Sequence, residues 1–389
     1  MSRPAVALLA LSHVVDDLYQ GAVPAIIPFL LLAYHYSYLA VTGITLAATL
    51  VSSVVQPVFG WLADRRPMSW LLVGGLLTAG SGIALSGLGS HYALIWLAVA
   101  LSGAGVAAYH PEAARAVGVV GGDSAQAMSW FALGGNLGFA IGPVAVTAVL
   151  GATGLTGTPL LVLPAVAMAA VIWPLLPRLS GAHHNGVARP GGVDRLDDWR
   201  SFGWLTGVVI CRSILFFGLS TFLELYAINR FHASHSVASA ALTTMTVAGA
   251  FATIGGGWLA DRIGRVRTLR LGYLLAVPGF AGVVLAPALG LLFVAVVICG
   301  IGIYLPFAVH TTLGQEYLPN RVGTASGVTL GLAVSAGGAA TPLLGLLADA
   351  RGLATTLAVL IAIPFVALLM CTRLAETRRP VPRDIVIRR

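Results

Sequence analysis

Lysine is absent from this 389-residue chain; all 22 basic residues are arginine. Charge of either sign is scarce, 9% of residues, where soluble domains carry about a quarter. So little charge excludes a water-soluble globular surface. Cysteine is scarce too. Cys211, Cys299 and Cys371 are odd in number and sit at no metal-like spacing, which excludes a disulfide framework and reads as buried packing. Long polar segments are missing apart from residues 178–200, so there is no soluble domain to relay a signal, which argues against a sensor. A leader peptide is not indicated either. The apolar run after Arg3 continues through Pro24 and Pro28 to Tyr34 without a small-residue cleavage site.

What is there is hydrocarbon: 58% of residues are hydrophobic. Apolar runs long enough to cross a bilayer recur from end to end. Breaking the chain at its charged and turn-forming clusters predicts an all-α integral membrane protein of twelve spans. They lie near 5–34, 38–63, 69–89, 92–113, 125–150, 156–177, 201–227, 236–260, 268–289, 291–312, 323–347 and 352–373. With the N-terminus inside, only Arg230 and Arg351 fall outside, and Arg212 stays within a span. That positive-inside bias predicts both termini in the cytoplasm. It also accounts for the net charge of +8 without nucleic acid as a partner; the partner the arginines imply is the lipid bilayer.

The hexapeptide GWLADR occurs at 60–65 and again at 257–262, an offset of 197 residues. The same offset maps Gly103 and Gly105 onto Gly300 and Gly302, and Leu133-Gly134 onto Leu330-Gly331. The chain therefore reads as two homologous six-span bundles, 1–177 and 201–389, the second ending in a basic cytoplasmic tail. A polar cytoplasmic linker, 178–200, joins them. The adjacent His183 and His184 in the linker read as solvated loop, lacking further ligands. In each GWLADR copy the glycine, Gly60 or Gly257, allows close helix approach. Asp64 and Asp261 can cap the next helix or pair with an arginine, while Arg65 and Arg262 stay at the inner headgroups. Such a bond at the inner face can latch one conformation and release in another.

Twelve spans, two halves, a central loop and GWLADRIGRVR at 257–267 resemble the major facilitator superfamily. The first copy departs after Arg65, where Pro67 stands in place of the usual glycine. Gly138-x-x-x-Gly142-Pro143 resembles the glycine-proline motif of the family's antiporters, without the two glycines usual after it; helix packing and a kink account for it equally well. Within the superfamily the chain is similar to the fosmidomycin-resistance branch. SHVVDDLYQ at 12–20, QPVFGWLAD at 56–64, YHPEAAR at 109–115 and GGNLGFAIGP at 134–143 carry that likeness.

Carboxylates at bilayer depth are costly, by about 3 kcal/mol on insertion scales, so Asp16 and Asp17 need a reason. At about 100° per residue His13, Asp16, Asp17, Gln20 and Pro24 share one face of the first span and form a polar stripe turned to the protein interior. The alternatives are proton coupling and a purely structural network. Two adjacent like charges resist joint ionisation, so the expectation is one aspartate that exchanges a proton and one that stays paired. The repeat offset sets Asp16 opposite position 213, beside Arg212, the only arginine deep in a span. An Asp–Arg couple near mid-membrane would lower the cost of both charges. Arg212 is the candidate for anion contact. Gln20, Asn136, Phe216, Phe217 and Tyr304 are candidates for the cavity wall, and Glu224 for the outer mouth. Glu112 and Arg115 stand three apart at the inner end of the fourth span, beside His110; a local ion pair or a part in the latch are both open.

The resemblance implies a proton-coupled secondary transporter of the drug/proton antiporter type in a bacterial inner membrane. It acts as a monomer without a cofactor, the proton being the coupling ion, and exports small polar or anionic compounds such as fosmidomycin-like phosphonates. One tension stays open. If an aspartate competes with substrate for Arg212, its protonation frees the arginine for an anion, which is the logic of a proton-coupled importer. An intramembrane enzyme built on His13 and Asp17 is the remaining rival, but no nucleophile or third ligand stands near them in sequence.

Overall fold

The computed structural model describes residues 3–65, 68–121, 125–179, 196–319, 321, 325, 328–329 and 333–376. The expected linker is thus largely outside the described residues, with His183 and His184. So are the side chains of Asp64 and Arg65.

Every described element is helical, as hydrocarbon demands, because a helix satisfies its backbone groups within itself. In chain order the helical segments are α1 Arg3–Tyr34, α2 Tyr38–Arg65, α3 Trp70–Leu85, α4 Tyr92–Gly121 and α5 Ala125–Thr153. There follow α6 Leu155–Leu175, α7 Trp199–Phe231, α8 His235–Ile263, α9 Arg265–Leu285, α10 Leu289–Tyr317, α11 Ala333–Arg351 and α12 Leu353–Cys371. Nine described helices are long and apolar enough to cross a membrane; α2 and α3 add shorter apolar stretches. The sixth differs from expectation by opening and closing in tighter 3-10 turns, Leu155–Val162 and Trp173–Leu175.

Local chemistry sets the helix ends. Asp198 caps α7, accepting from the Ser201 amide at 2.9 Å, and Ser234 caps α8 by accepting from the Val237 amide. Gly264, at φ 101°, turns the chain between α8 and α9 in a conformation that suits glycine. Short connections make neighbouring helices antiparallel. The end of the bundle that holds the start of α1 and the turn between α8 and α9 is here called the near end.

The closest packing is α1 on α5. Gly134, Gly138 and Gly142 recur at one turn's spacing and lie directly on the α1 carbonyls of Ala10, Val14 and Leu18, where no Cβ would fit. The glycine-proline motif is, in this structure, that contact surface. Buried apolar clusters form in the first part of the chain around Tyr19, Ile26 and Tyr109, and in the second around Phe222, Tyr273 and Phe280, the last also taking in Ile27 and Val41 of the first part.

These two parts meet toward the far end. Asp349 at the end of α11 accepts from the Tyr38 and Leu39 amides at 2.8 and 2.9 Å, capping α2 from across the divide. Phe29 of α1 stacks on His235 of α8, and Thr243 of α8 donates to Ala140 O of α5 at 3.0 Å. Toward the near end the same face of α8 continues through Phe251, Ile254 and Trp258, which are 71%, 59% and 55% exposed. The facing stripe of α5 likewise exposes Trp130 and Leu137. Among the described residues these contacts between the halves lie toward the far end.

Replacing Asp349 with Ala removes the cap on α2. The expected cost is about 1 kcal/mol, read as roughly fivefold faster hydrogen exchange at the first amides of α2. The amides of α3 should exchange unchanged. Equal acceleration in α2 and α3 would show that Asp349 supports the whole bundle instead of that end.

Candidate functional site

The glycine contact between α1 and α5 delivers the polar stripe of α1 to its partners. His13 is stacked on Phe131 of α5, ring centroids 4.0 Å apart, and its Nδ1–H donates to Phe131 O at 2.7 Å. Gly135 lies against Asp17 and the His13 ring, leaving room where any other residue would place a Cβ.

Helix α4 supplies a group that sequence spacing did not place here. His110 Nδ1–H donates to Val106 O at 2.9 Å. Its Nε2 lies 3.4 Å from Asp17 Oδ1 and 3.2 Å from His13 Nε2. His13 Nε2 is in turn 3.2 Å from Asp17 Oδ2. Gln20 donates to Asp17 Oδ1 at 2.5 Å. Asp17 is thus held from three directions. Asp16 is fully buried and makes no hydrogen bond among the described residues; His110 Nδ1 lies 3.3 Å from its Oδ2. One signal for His110 was in the sequence. YHPEAAR is polar where the fourth span should be apolar, but only the fold says which helix it faces.

Arg212 sits at similar depth in the other half. It does not pair with Asp16 or Asp17, contrary to the expected couple: no carboxylate oxygen among the described residues lies within ion-pair reach. Its Nε donates to Ile303 O at 3.0 Å, and its guanidinium lies 4.4 Å from the Phe307 ring centroid, 5.7 Å from Tyr304 and 5.9 Å from Phe216. Its terminal nitrogens have no acceptor among the described residues. Aromatic faces offset part of the cost of burying the cation. The physical reason for the miss lies in the repeat. At the 197-residue offset Val106 corresponds to Ile303 and His110 to Phe307. Each half therefore closes its own pocket, with a carbonyl and a ring from α4 or α10, and neither needs a partner from the other.

Between the halves, Gln20, Thr45, Thr49, Phe217, Ser220 and Thr221 line a cavity. The hydroxyls of Thr45, Ser220 and Thr221 have no hydrogen-bond partner there. Phe216 joins the halves through its ring contact with Phe139, 5.3 Å between centroids. Asn136, half-buried on α5, makes no hydrogen bond among the described residues. Glu224 is buried one turn beyond the cavity hydroxyls with both oxygens unpartnered.

The latch residues fare differently. Glu112 is fully buried, ion-paired with Arg115 and in contact with Ser69 Oγ and the Met68 amide, so it anchors the start of α3. Asp261 is exposed and caps no helix among the described residues, and Arg262 lies 3.7 Å from the centroid of Trp258. The start of α9 is held instead by Glu376, which accepts from the Arg265 and Val266 amides, while Arg265 pairs with Glu316.

The sequence model described as Major Facilitator Superfamily matches residues 9–342. The chain is 29% identical over 336 residues to the fosmidomycin resistance protein of Escherichia coli (strain K12), covering 85% of this chain and 82% of that one. It is also 29% identical over 352 residues to an uncharacterized MFS-type transporter, YfnC, of Bacillus subtilis (strain 168), covering 86% and 84%. Among solved structures, a bacterial homolog of the human lysosomal transporter Spinster, inward-facing and occupied, aligns with a TM-score of 0.81. That likeness is at 15% identity and covers 96% of this chain and 97% of that one. The outward conformation of FucP aligns at 0.63, with 17% identity and 97% and 99% coverage. At these identities the structural likeness is one of fold.

The pairing has a direct test. A double-mutant cycle of Asp17→Asn with His110→Gln, read by thermal unfolding in detergent, should give an interaction energy of about 1–3 kcal/mol. Asp17→Asn with Arg212→Gln should be additive within about 0.5 kcal/mol. The reverse pattern would restore the Asp–Arg couple.

Proposed function

The chain belongs to the Major Facilitator Superfamily, and from that premise we propose a proton-coupled secondary transporter that exports small polar, anionic compounds from a bacterium. The proposal includes twelve spans with both termini in the cytoplasm, bundles 1–177 and 201–389, and the linker 178–200. The protein acts as a monomer in the inner membrane, with the proton as its coupling ion and no cofactor.

The observation that carries the reading is Arg212. A buried guanidinium walled by three aromatic rings, with terminal donors unused, suits an anion that supplies acceptor oxygens. The free hydroxyls of Thr45, Ser220 and Thr221 suit a polar remainder. The Escherichia coli relative is named for resistance to fosmidomycin, and phosphonates of that kind are the first class to try.

The geometry also bears on direction. Symport logic needs an aspartate that releases Arg212 when protonated. Here the aspartates lean on histidines of their own half, so protonation does not unmask the guanidinium. Coupling through the conformational change, as antiport requires, is the reading this favours. One proton entering down about 100 mV and one pH unit releases about 3.7 kcal/mol. That sustains an outward gradient of roughly several hundredfold.

Two flux measurements in proteoliposomes test this. Arg212→Ala should abolish transport of an anionic substrate, and Arg212→Lys should restore only part, since an ammonium cannot copy the guanidinium fork. Unchanged flux in the alanine variant removes Arg212 from the site. Asp16 makes no hydrogen bond among the described residues and so is the candidate to exchange the proton. Asp16→Asn should lose accumulation driven by a pH gradient yet keep downhill exchange, whereas Asp17→Asn should weaken the folded protein. Full gradient-driven accumulation by both variants would make the stripe structural.

A further inference from the structure

We propose that His13, Asp17 and His110 form a binding site for a divalent transition cation of the zinc class. The inference goes beyond the transport reading and does not depend on it.

The backbone dictates the hydrogen positions of both rings. A carbonyl oxygen only accepts, so His13 must place its proton on Nδ1 to bond Phe131 O. His110 must do the same to bond Val106 O. In the neutral rings both Nε2 atoms then carry lone pairs, and these face each other at 3.2 Å. The Asp17 carboxylate completes the group, one oxygen 3.2 Å from the first nitrogen and the other 3.4 Å from the second. Three electron-pair donors converge with no hydrogen between them. Such an arrangement repels itself unless a proton or a metal cation sits among the donors.

The spacing suits a metal ion. Ligands about 2.05 Å from a tetrahedral centre stand about 3.3 Å from one another. All three ligand atoms lie within 4.8 Å of each other. The orienting bonds usual at such sites are present as well. Each histidine donates its remote N–H to a backbone carbonyl, and Gln20 fixes the carboxylate. Room for the ion comes from Gly135, where an added Cβ would stand 2.5 Å from Asp17 Oδ2 and 2.7 Å from His13 Nε2. His110 and Asp17 keep 22% and 14% of their side-chain surface exposed, so an ion can reach the group.

The test uses full-length protein in detergent, purified without a polyhistidine tag, stripped with chelator and dialysed against Zn2+ or Co2+. The expected result is one ion per chain by elemental analysis, and for Co2+ the intense visible bands of a tetrahedral site. His13→Gln and His110→Gln should each weaken binding at least tenfold. Gly135→Ala should do so without removing any ligand. A variant with His183→Ala and His184→Ala should bind as the parent does. Absence of stoichiometric binding by the parent overturns the proposal. So does binding lost with the linker histidines, or binding kept when both His13 and His110 are replaced. Because the readout is equilibrium binding without flux, its failure leaves the transport reading standing, and failure of transport leaves this one.

Discussion

The absence of side chains between α1 and α5 is the constraint on which the rest depends. In lipid, helices gain little from apolar contact alone, since the solvent is equally apolar, so close backbone approach has to supply the adhesion. Gly134, Gly138 and Gly142 permit it by bringing α5 onto the carbonyls of Ala10, Val14 and Leu18. That closeness puts Phe131 O within reach of His13 and leaves the hollow at Gly135 beside Asp17. A larger residue at any of these positions would separate the helices and take the imidazole away from its acceptor. Packing and site are therefore one feature.

The duplicated frame carries different chemistry in its two copies. A carbonyl on α4 or α10, Val106 O or Ile303 O, anchors a basic nitrogen in each. In the first half that nitrogen belongs to His110 and serves carboxylates on α1; in the second it belongs to Arg212 on α7 and is walled by Phe307. The starts of α3 and α9 repeat the theme. The Met68 and Arg265 amides, equivalent by the offset, both donate to a carboxylate, but Glu112 comes from α4 and Glu376 from beyond α12. Helix N-termini attract anions whatever supplies them, so duplication preserved the need and not the residue.

This explains which features were readable from residues alone. Helical class, the stripe from His13 to Gln20 and the depth of Arg212 follow from periodicity and the cost of charge in hydrocarbon, both local properties. The meeting of His110 with Asp17 is a contact across 93 residues, and nothing local encodes it. The expected Asp16–Arg212 couple failed for a related reason. Opposite charge at equal depth is a sound ground for pairing only when neither charge has a cheaper partner in its own half, and here each has one. Asp261 illustrates the same limit, since a motif shows that a carboxylate stands near a helix start but not that the helix chooses it.

Keeping the two charges apart has a mechanical consequence. If the aspartates and Arg212 were bonded, the bond would have to break each time the halves moved. Held separately, they interact across the gap with an energy that varies smoothly with separation. At an effective dielectric of about 20, any two opposite unit charges brought from about 10 to 6 Å apart change their interaction by about 1 kcal/mol. Coupling energies between sites are of that order. An anion on Arg212 cancels the attraction from one side, and a cation among His13, Asp17 and His110 cancels it from the other. On the proposed reading, either occupant would then alter the same balance between arrangements of the two halves. If both proposed sites are real, they would communicate through the position of the halves without sharing a bond, because Asp16 and Asp17 stand apart from Arg212.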